Sequence, residues 1–438
     1  MKFFKLTMFL LLGSLWIFPL SLAASPPLIL QLKDQARVVD QWLTLRLERV
    51  LPEIMRRENM DMWIVACREY SEDPVYNTLA PATSFAARRL ILLVFYDKGK
   101  DGMERLTISR YGIGDLYQQV WDPDKTDPWS CLTKVVAQRN PRRIGINEAD
   151  EFAFGDGLSA SLKKKVMDAL GSQYASRIHS AEKLAVGWLE QRIPEELEVY
   201  PHIVSIAHFI IAEAFSNRVI TPGITTTEDV VWWMRERIQS LGLGTWFQPD
   251  VDIQRQKSEG EKEKEAKVIR RGDLLHCDMG ITYLRLNTDT QELAYVLKEG
   301  EEEAPEGLKR ALRMGNRLQD ILTGEMKEGR SGNEILESAL SKAKAEGLDA
   351  SIYTHPLGFH GHGAGPIIGL WDQQQGVPGR GDYPLYKNTC HSIELSVKTL
   401  LPEWNGQEVV IALEQDAVFG EEGAHYLDGR QTAFHLIK

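Results

Sequence analysis

The chain is poor in cysteine. Four thiols, Cys67, Cys131, Cys277 and Cys390, are scattered over 438 residues. They form neither a disulfide framework nor the close spacing of a thiolate metal site. Cys67 and Cys277 fall inside apolar strand-like runs, where buried free thiols are expected. Positive charge is also short: 51 Lys and Arg stand against 62 Asp and Glu, a formal net charge of -11. An acidic chain has no broad field to attract nucleic acid, so that partner class is set aside. No internal repeat is evident. Beyond the first residues, no apolar stretch is long enough to cross a bilayer.

The one long apolar run stands at the start. Lys2 and Lys5 precede an almost wholly apolar Leu6 to Leu20, and Ser21-Leu22-Ala23 supplies small residues where a cleavage site needs them. Residues 1–23 therefore read as a secretory signal peptide. An uncleaved membrane anchor is the alternative, but the run is short for a span and ends in small residues. No cysteine follows it to carry a lipid. The expected mature protein is exported, periplasmic or secreted, with no membrane span left after cleavage.

The length suggests two domains. Upstream, residues 32–58 read as a charged amphipathic helix. Met62–Cys67, Leu90–Tyr96 and Arg143–Ile146 read as strands, and Leu158–Leu170 has helical spacing. Strands alternating with helices predict an α/β domain over 30–188. It shows no catalytic cluster, and its polar residues read as solvated surface. The second domain is expected over 190–438. Pro194-Glu195-Glu196 marks a helix start, and a second helix opens at Thr227-Glu228-Asp229. Trp232 and Trp233 read as core. The mixed-charge run 257–266 reads as a solvated hairpin or loop.

Chemistry concentrates in this second half. Asp278 interrupts the apolar run Leu274–Met279, where a lone carboxylate would be expensive to bury without a cation or another partner. Asp289 follows eleven residues later, and two antiparallel strands would bring the pair together; alternatively it caps a turn. His355, His360 and His362 fall within eight glycine-rich residues, and imidazole is the commonest protein metal ligand. Glu394 and Glu414 each interrupt a further strand-like run. Each alone could face solvent. Together, oxygen donors with one histidine suit Mn, Co, Fe or Zn, and bridging carboxylates can hold a pair of ions.

The order Asp278, Asp289, His355, Glu394, Glu414 resembles the pita-bread metallopeptidases, the aminopeptidase P, prolidase and creatinase branch. The resemblance covers roughly residues 190–438; the upstream half is similar to that branch's N-terminal domain. It implies an α/β creatinase-like domain followed by an α+β pita-bread catalytic domain. It also implies a peptide substrate with proline second, two divalent cations (Mn first, Co or Zn as alternatives) and, by analogy with relatives, homo-oligomers. All five residues would be metal ligands, Asp289 and Glu414 bridging. Glu394 would also act as general base, and His360 and His362 would face the substrate, His362 stabilising the oxyanion.

The histidines allow two alignments. The preferred one takes His355 as the ligand, with Gly358 and His362 at the family's spacing. The other makes His362 the ligand and leaves Gly369 where a second histidine belongs. Three departures bear on proline specificity. Leu395 and Ser396 replace the glycine and proline after the first glutamate. Ala412 stands where relatives often carry arginine. The histidine usually upstream of the first aspartate has no clear counterpart before Arg270. A creatinase-like C–N hydrolase and a non-catalytic peptide-binding module are the competing readings.

Overall fold

The computed structural model describes residues 27–257 and 267–438. The leader read in residues 1–23 lies outside them, as does the charged run apart from exposed Lys257. Two sheets organise the chain. The upstream one has six strands, in the order 118–119, 103–109, 90–97, 62–68, 144–146, 178–180. Its central strand, Met62–Arg68, pairs antiparallel with Leu90–Asp97 and parallel with Ile144–Ile146. Alternate residues of that strand enter two cores. Met62, Ile64 and Ala66 pack with helices Pro128–Arg139 and Ala160–Ala175. Trp63, Val65 and Cys67 pack with helix Leu32–Arg57. Burial on both faces is why these strands read as unbroken apolar runs.

Not every polar residue here is solvated surface, as the sequence suggested. Asp73 is fully buried, accepting from Asn147 Nδ2 at 2.8 Å and from the Val75 N–H at 2.8 Å. Arg46 is equally buried, because its guanidinium donates to the Gln191 carbonyl and pairs with Glu196 at 3.0 Å. Glu196 also accepts from the Ile193 N–H that opens helix Pro194–Ala214. This buried pair ties the first helix to the downstream half.

The downstream sheet has nine strands. Its path runs 349–352, 389–401, 407–420, 290–296, 274–279, 250–254, with three short strands beside it. The spine is a long antiparallel hairpin, Thr389–Leu401 against Gln407–Gly420, in register from Thr389↔Phe419 to Leu401↔Gln407. Helices Glu306–Glu325 and Gly332–Ala345 cover one face of the hairpin, burying Ile393, Leu395, Ile411 and Leu413. Gly315 permits this approach: a Cβ there would meet Leu413 at 2.8 Å. Helix Pro194–Ala214 packs in the core that takes Cys277 and Met279 of strand Leu274–Met279. Helix Thr227–Ser240 starts at a Thr226 cap whose hydroxyl accepts from the Asp229 N–H at 3.2 Å. Its Trp232 is 54% exposed, not core as expected; Trp233 is partly buried against the core. All four cysteines are free and buried.

Candidate metal centre

The strand period decides which side chains meet. Cys277 and Met279 take the core, so Asp278 between them points to the other face. Ile393, Leu395 and Leu413 do the same for Glu394 and Glu414, which lie directly opposite each other across the hairpin. Asp289 is not on a strand. It precedes strand Thr290–Val296 by one residue, and its N–H donates to both Asp416 oxygens at 3.3 Å. His355 opens the short strand His355–Leu357, held on Thr389–Leu401 through Ser392.

These five residues converge. His355 Nε2 lies 3.4 Å from Asp289 Oδ2, 3.3 Å from Glu414 Oε1 and 3.9 Å from Glu394 Oε2. Three sets of donors fall within 4.8 Å of one another: Asp278, Asp289 and Glu414; His355, Glu394 and Glu414; Asp289, His355 and His362. Glu414 is common to the first two. His355 Nδ1 is 3.1 Å from the Pro356 carbonyl, which only accepts, so Nδ1 carries the proton. When neutral, the ring turns its Nε2 lone pair toward these carboxylates. Asp278 Oδ1, Asp289 Oδ1 and His355 Nε2 are buried with no hydrogen-bond partner among the described residues. Lone pairs crowded this way need a proton or a cation between them.

Protons bear the load in the ion-free protein. Burial, then repulsion from Glu414, Asp289 and Glu394, pushes the Asp278 carboxyl up to about 10. Burial and Glu414 raise Asp289 to about 7, and the same causes lift Glu394 well above the carboxylate range. Burial alone would lower the His355 pKa; Asp289 and Glu414 outweigh it and hold the ring well above its ordinary value. Surplus buried acid of this kind suits divalent cations.

The other histidines separate. His362 is exposed, with its ring 4.8 Å from that of His355 and nearly perpendicular to it. Trp246 flanks it at 5.0 Å and packs so closely on Gly361 that a Cβ there would meet the indole at 2.0 Å. His360 belongs to none of the three donor sets; its ring lies 4.3 Å from Phe154 of the upstream half.

Sequence reasoning passed over several residues here. Gln291 Nε2 donates to Glu394 Oε1 at 2.6 Å and to Glu414 Oε2 at 2.8 Å. Ser392 Oγ donates to Glu414 Oε1 at 2.6 Å. Asp416 holds the Asp289 backbone. Ser392 and Asp416 stand two residues from Glu394 and Glu414, on the same face by the strand period, and Gln291 two residues after Asp289; that spacing was the available signal. Trp246 had no local signal.

The profile of metallopeptidase family M24 matches residues 202–421, half of the chain. The chain belongs to that family. No curated protein matches the sequence of this M24 chain. Solved structures do match its fold. The X-Pro aminopeptidase from Thermotoga maritima is 18% identical, with a TM-score of 0.62, over 88% of this chain and 99% of that one. The Xaa-Pro dipeptidase from Bacillus anthracis is 15% identical, with a TM-score of 0.57, over 93% and 100%. The N-terminal domain of the FACT complex subunit SPT16 from chickpea is 11% identical, with a TM-score of 0.55, over 91% and 99%. The M24 chain thus has the two-domain pita-bread fold, and its donor sets are of the kind that hold the divalent metals of the family.

Proposed function

We propose that this M24 chain is an exported dinuclear-metal peptidase that releases the first residue of peptides, with proline in second place. One observation carries the reading: Asp278, Asp289, His355, Glu394 and Glu414 converge, and Glu414 belongs to two donor sets at once. Ionised, the four carboxylates carry four negative charges, which two divalent cations balance. His355 and Glu394 would hold one cation and Asp278 the other, with Asp289 and Glu414 between them. Such cations, Mn for preference, acidify a water and polarise a carbonyl. The Glu394 side chain keeps 18% exposure, against 5% for Asp289 and 1% for Glu414, which supports its taking a proton as general base. Exposed His362, beside His355, would donate to an oxyanion. Its pKa is lowered, first by partial burial of the ring and then by His355, a direction that favours the neutral imidazole.

The fold is also that of a complex subunit, so fold alone does not make an enzyme. The retained donors favour catalysis over a binding module. Digestion of a peptide library by the Mn-loaded protein should release first residues, from Xaa-Pro sequences foremost. Asp289→Ala should release none. Metal uptake without release from any peptide would sink the peptidase reading.

A further inference from the structure

Four strands place Glu394, Glu414, Gln291 and Asp278 directly opposite one another in a single row, and Asp250 on the neighbouring strand continues it. All but Gln291 are carboxylates. Like charges opposite each other destabilise a sheet, and Gln291 is the one member of the row that offers a donor. Its Nε2 reaches Glu394 Oε1, Glu414 Oε2 and, at 3.5 Å, Asp278 Oδ2. The amide is held from behind. His276 Nε2 lies 2.9 Å from Gln291 Oε1, which only accepts, so His276 donates and resists turning the amide over.

Gln291 thereby divides the oxygens of both glutamates. Glu394 Oε2 and Glu414 Oε1 face His355. Glu394 Oε1 and Glu414 Oε2 are engaged by the amide that also reaches toward Asp278. A cation on the His355 side finds Glu394 Oε2 and Glu414 Oε1 turned toward it, the latter also accepting from Ser392 Oγ at 2.6 Å, a hydroxyl that can donate instead to the Asp289 carbonyl at 3.1 Å. A cation on the Asp278 side competes with Gln291 for Glu414 Oε2 and Asp278 Oδ2.

Resting on the metallopeptidase reading, we propose that Gln291 is a positioning residue that makes the two cation positions unequal. It presets the His355 side for the first ion and admits the second, on the Asp278 side, only against its own amide. Giving up a hydrogen bond to a charged group corresponds to on the order of tenfold in affinity.

The test uses the full chain, stripped with chelator and titrated with Mn(II) alone, read by calorimetry and by electron paramagnetic resonance. Wild type should bind two equivalents with separated affinities, giving an isolated-ion signal first and a spin-coupled pair second. Gln291→Met keeps the length and removes the donor, and should tighten the second equivalent on the order of tenfold and narrow the gap. His276→Phe cuts the support from behind and should shift the second equivalent the same way by less. It carries the test if Gln291→Met does not fold. Weaker second binding in Gln291→Met would make the amide a ligand and overturn the proposal. So would an unchanged gap in both variants. Absence of Mn uptake by wild type would instead overturn the metallopeptidase reading, and this inference with it.

Discussion

Neutralising one candidate metal carboxylate should stabilise the chelator-treated protein while abolishing the proposed activity. Asp289 is 3% exposed, and its carboxyl is raised from 3.8 to about 7 by burial and by Glu414. Because its folded pKa lies above the unfolded one, the folded chain holds a proton that the unfolded chain releases. Stability of the stripped protein therefore falls as pH rises from about 4 to about 7 and stays low above that. A rise from 3.8 to about 7, at about 1.4 kcal/mol for each tenfold in proton affinity, gives about 4 kcal/mol lost by about pH 8. Asp289→Asn keeps the shape and the backbone bond to Asp416 but removes the charge. In chelator, its melting temperature should exceed that of wild type at about pH 8, and the difference should shrink at about pH 5. Adding Mn should raise wild type and leave Asp289→Asn nearly unmoved, with peptidase activity lost. The check is a set of thermal melts at both pH values, with chelator and with Mn. If Asp289→Asn melts below wild type in chelator at the higher pH, the carboxylates are satisfied without cations and the electrostatic argument fails.

Glu190 offers a second pH probe, clear of the donor sets. It is buried, accepts from the Tyr383 hydroxyl at 2.8 Å, and is pushed up to about 8 by burial despite Arg57 nearby. Its raised folded pKa costs stability as pH rises from about 4.5 to about 8; Glu190→Gln should flatten the melting profile across that window, and an unaltered slope would count against the assignment. Gly361→Ala puts a Cβ 2.0 Å from the Trp246 indole, so the ring that flanks His362 must shift. The expected result is kcat/KM lowered on the order of tenfold or more with Mn stoichiometry unchanged; equal loss of metal would show that the loop, not the substrate side, was disturbed.

The sequence made most of the converging carboxylates legible for a reason the fold explains. A charged residue breaking an apolar strand leaves both neighbours in the core and the charge on the far face. Asp278 and Glu394 read this way, Glu414 does so on its Leu413 side with polar Gln415 on the other, and all three converge. Asp289 resisted that logic because it lies outside the strand and is placed by Asp416. Gln291, Ser392 and Asp416 carried the same two-residue spacing, but each looked like an ordinary polar residue until its partner from another strand was known. Upstream, the strands were readable because both faces are buried. The buried pair Arg46 and Glu196 was not, since 150 residues separate its members and nothing local marks either. Trp232 shows the reverse failure: an aromatic at helical spacing, yet exposed.

The same long-range contacts give the upstream half a share in the site. Phe359, between His355 and His362, is flanked by Arg46 at 4.8 Å and Arg192 at 4.4 Å, both buried. Phe154 stacks on His360. The upstream residues Arg46 and Phe154 therefore grip the loop that joins the candidate ligand His355 to the candidate oxyanion donor His362. Neither touches the carboxylates, but both restrict where His362 can stand relative to His355. An error of about an ångström in such placement is costly to catalysis. The histidine loop is thus positioned from both halves of the chain, and the carboxylate row from one.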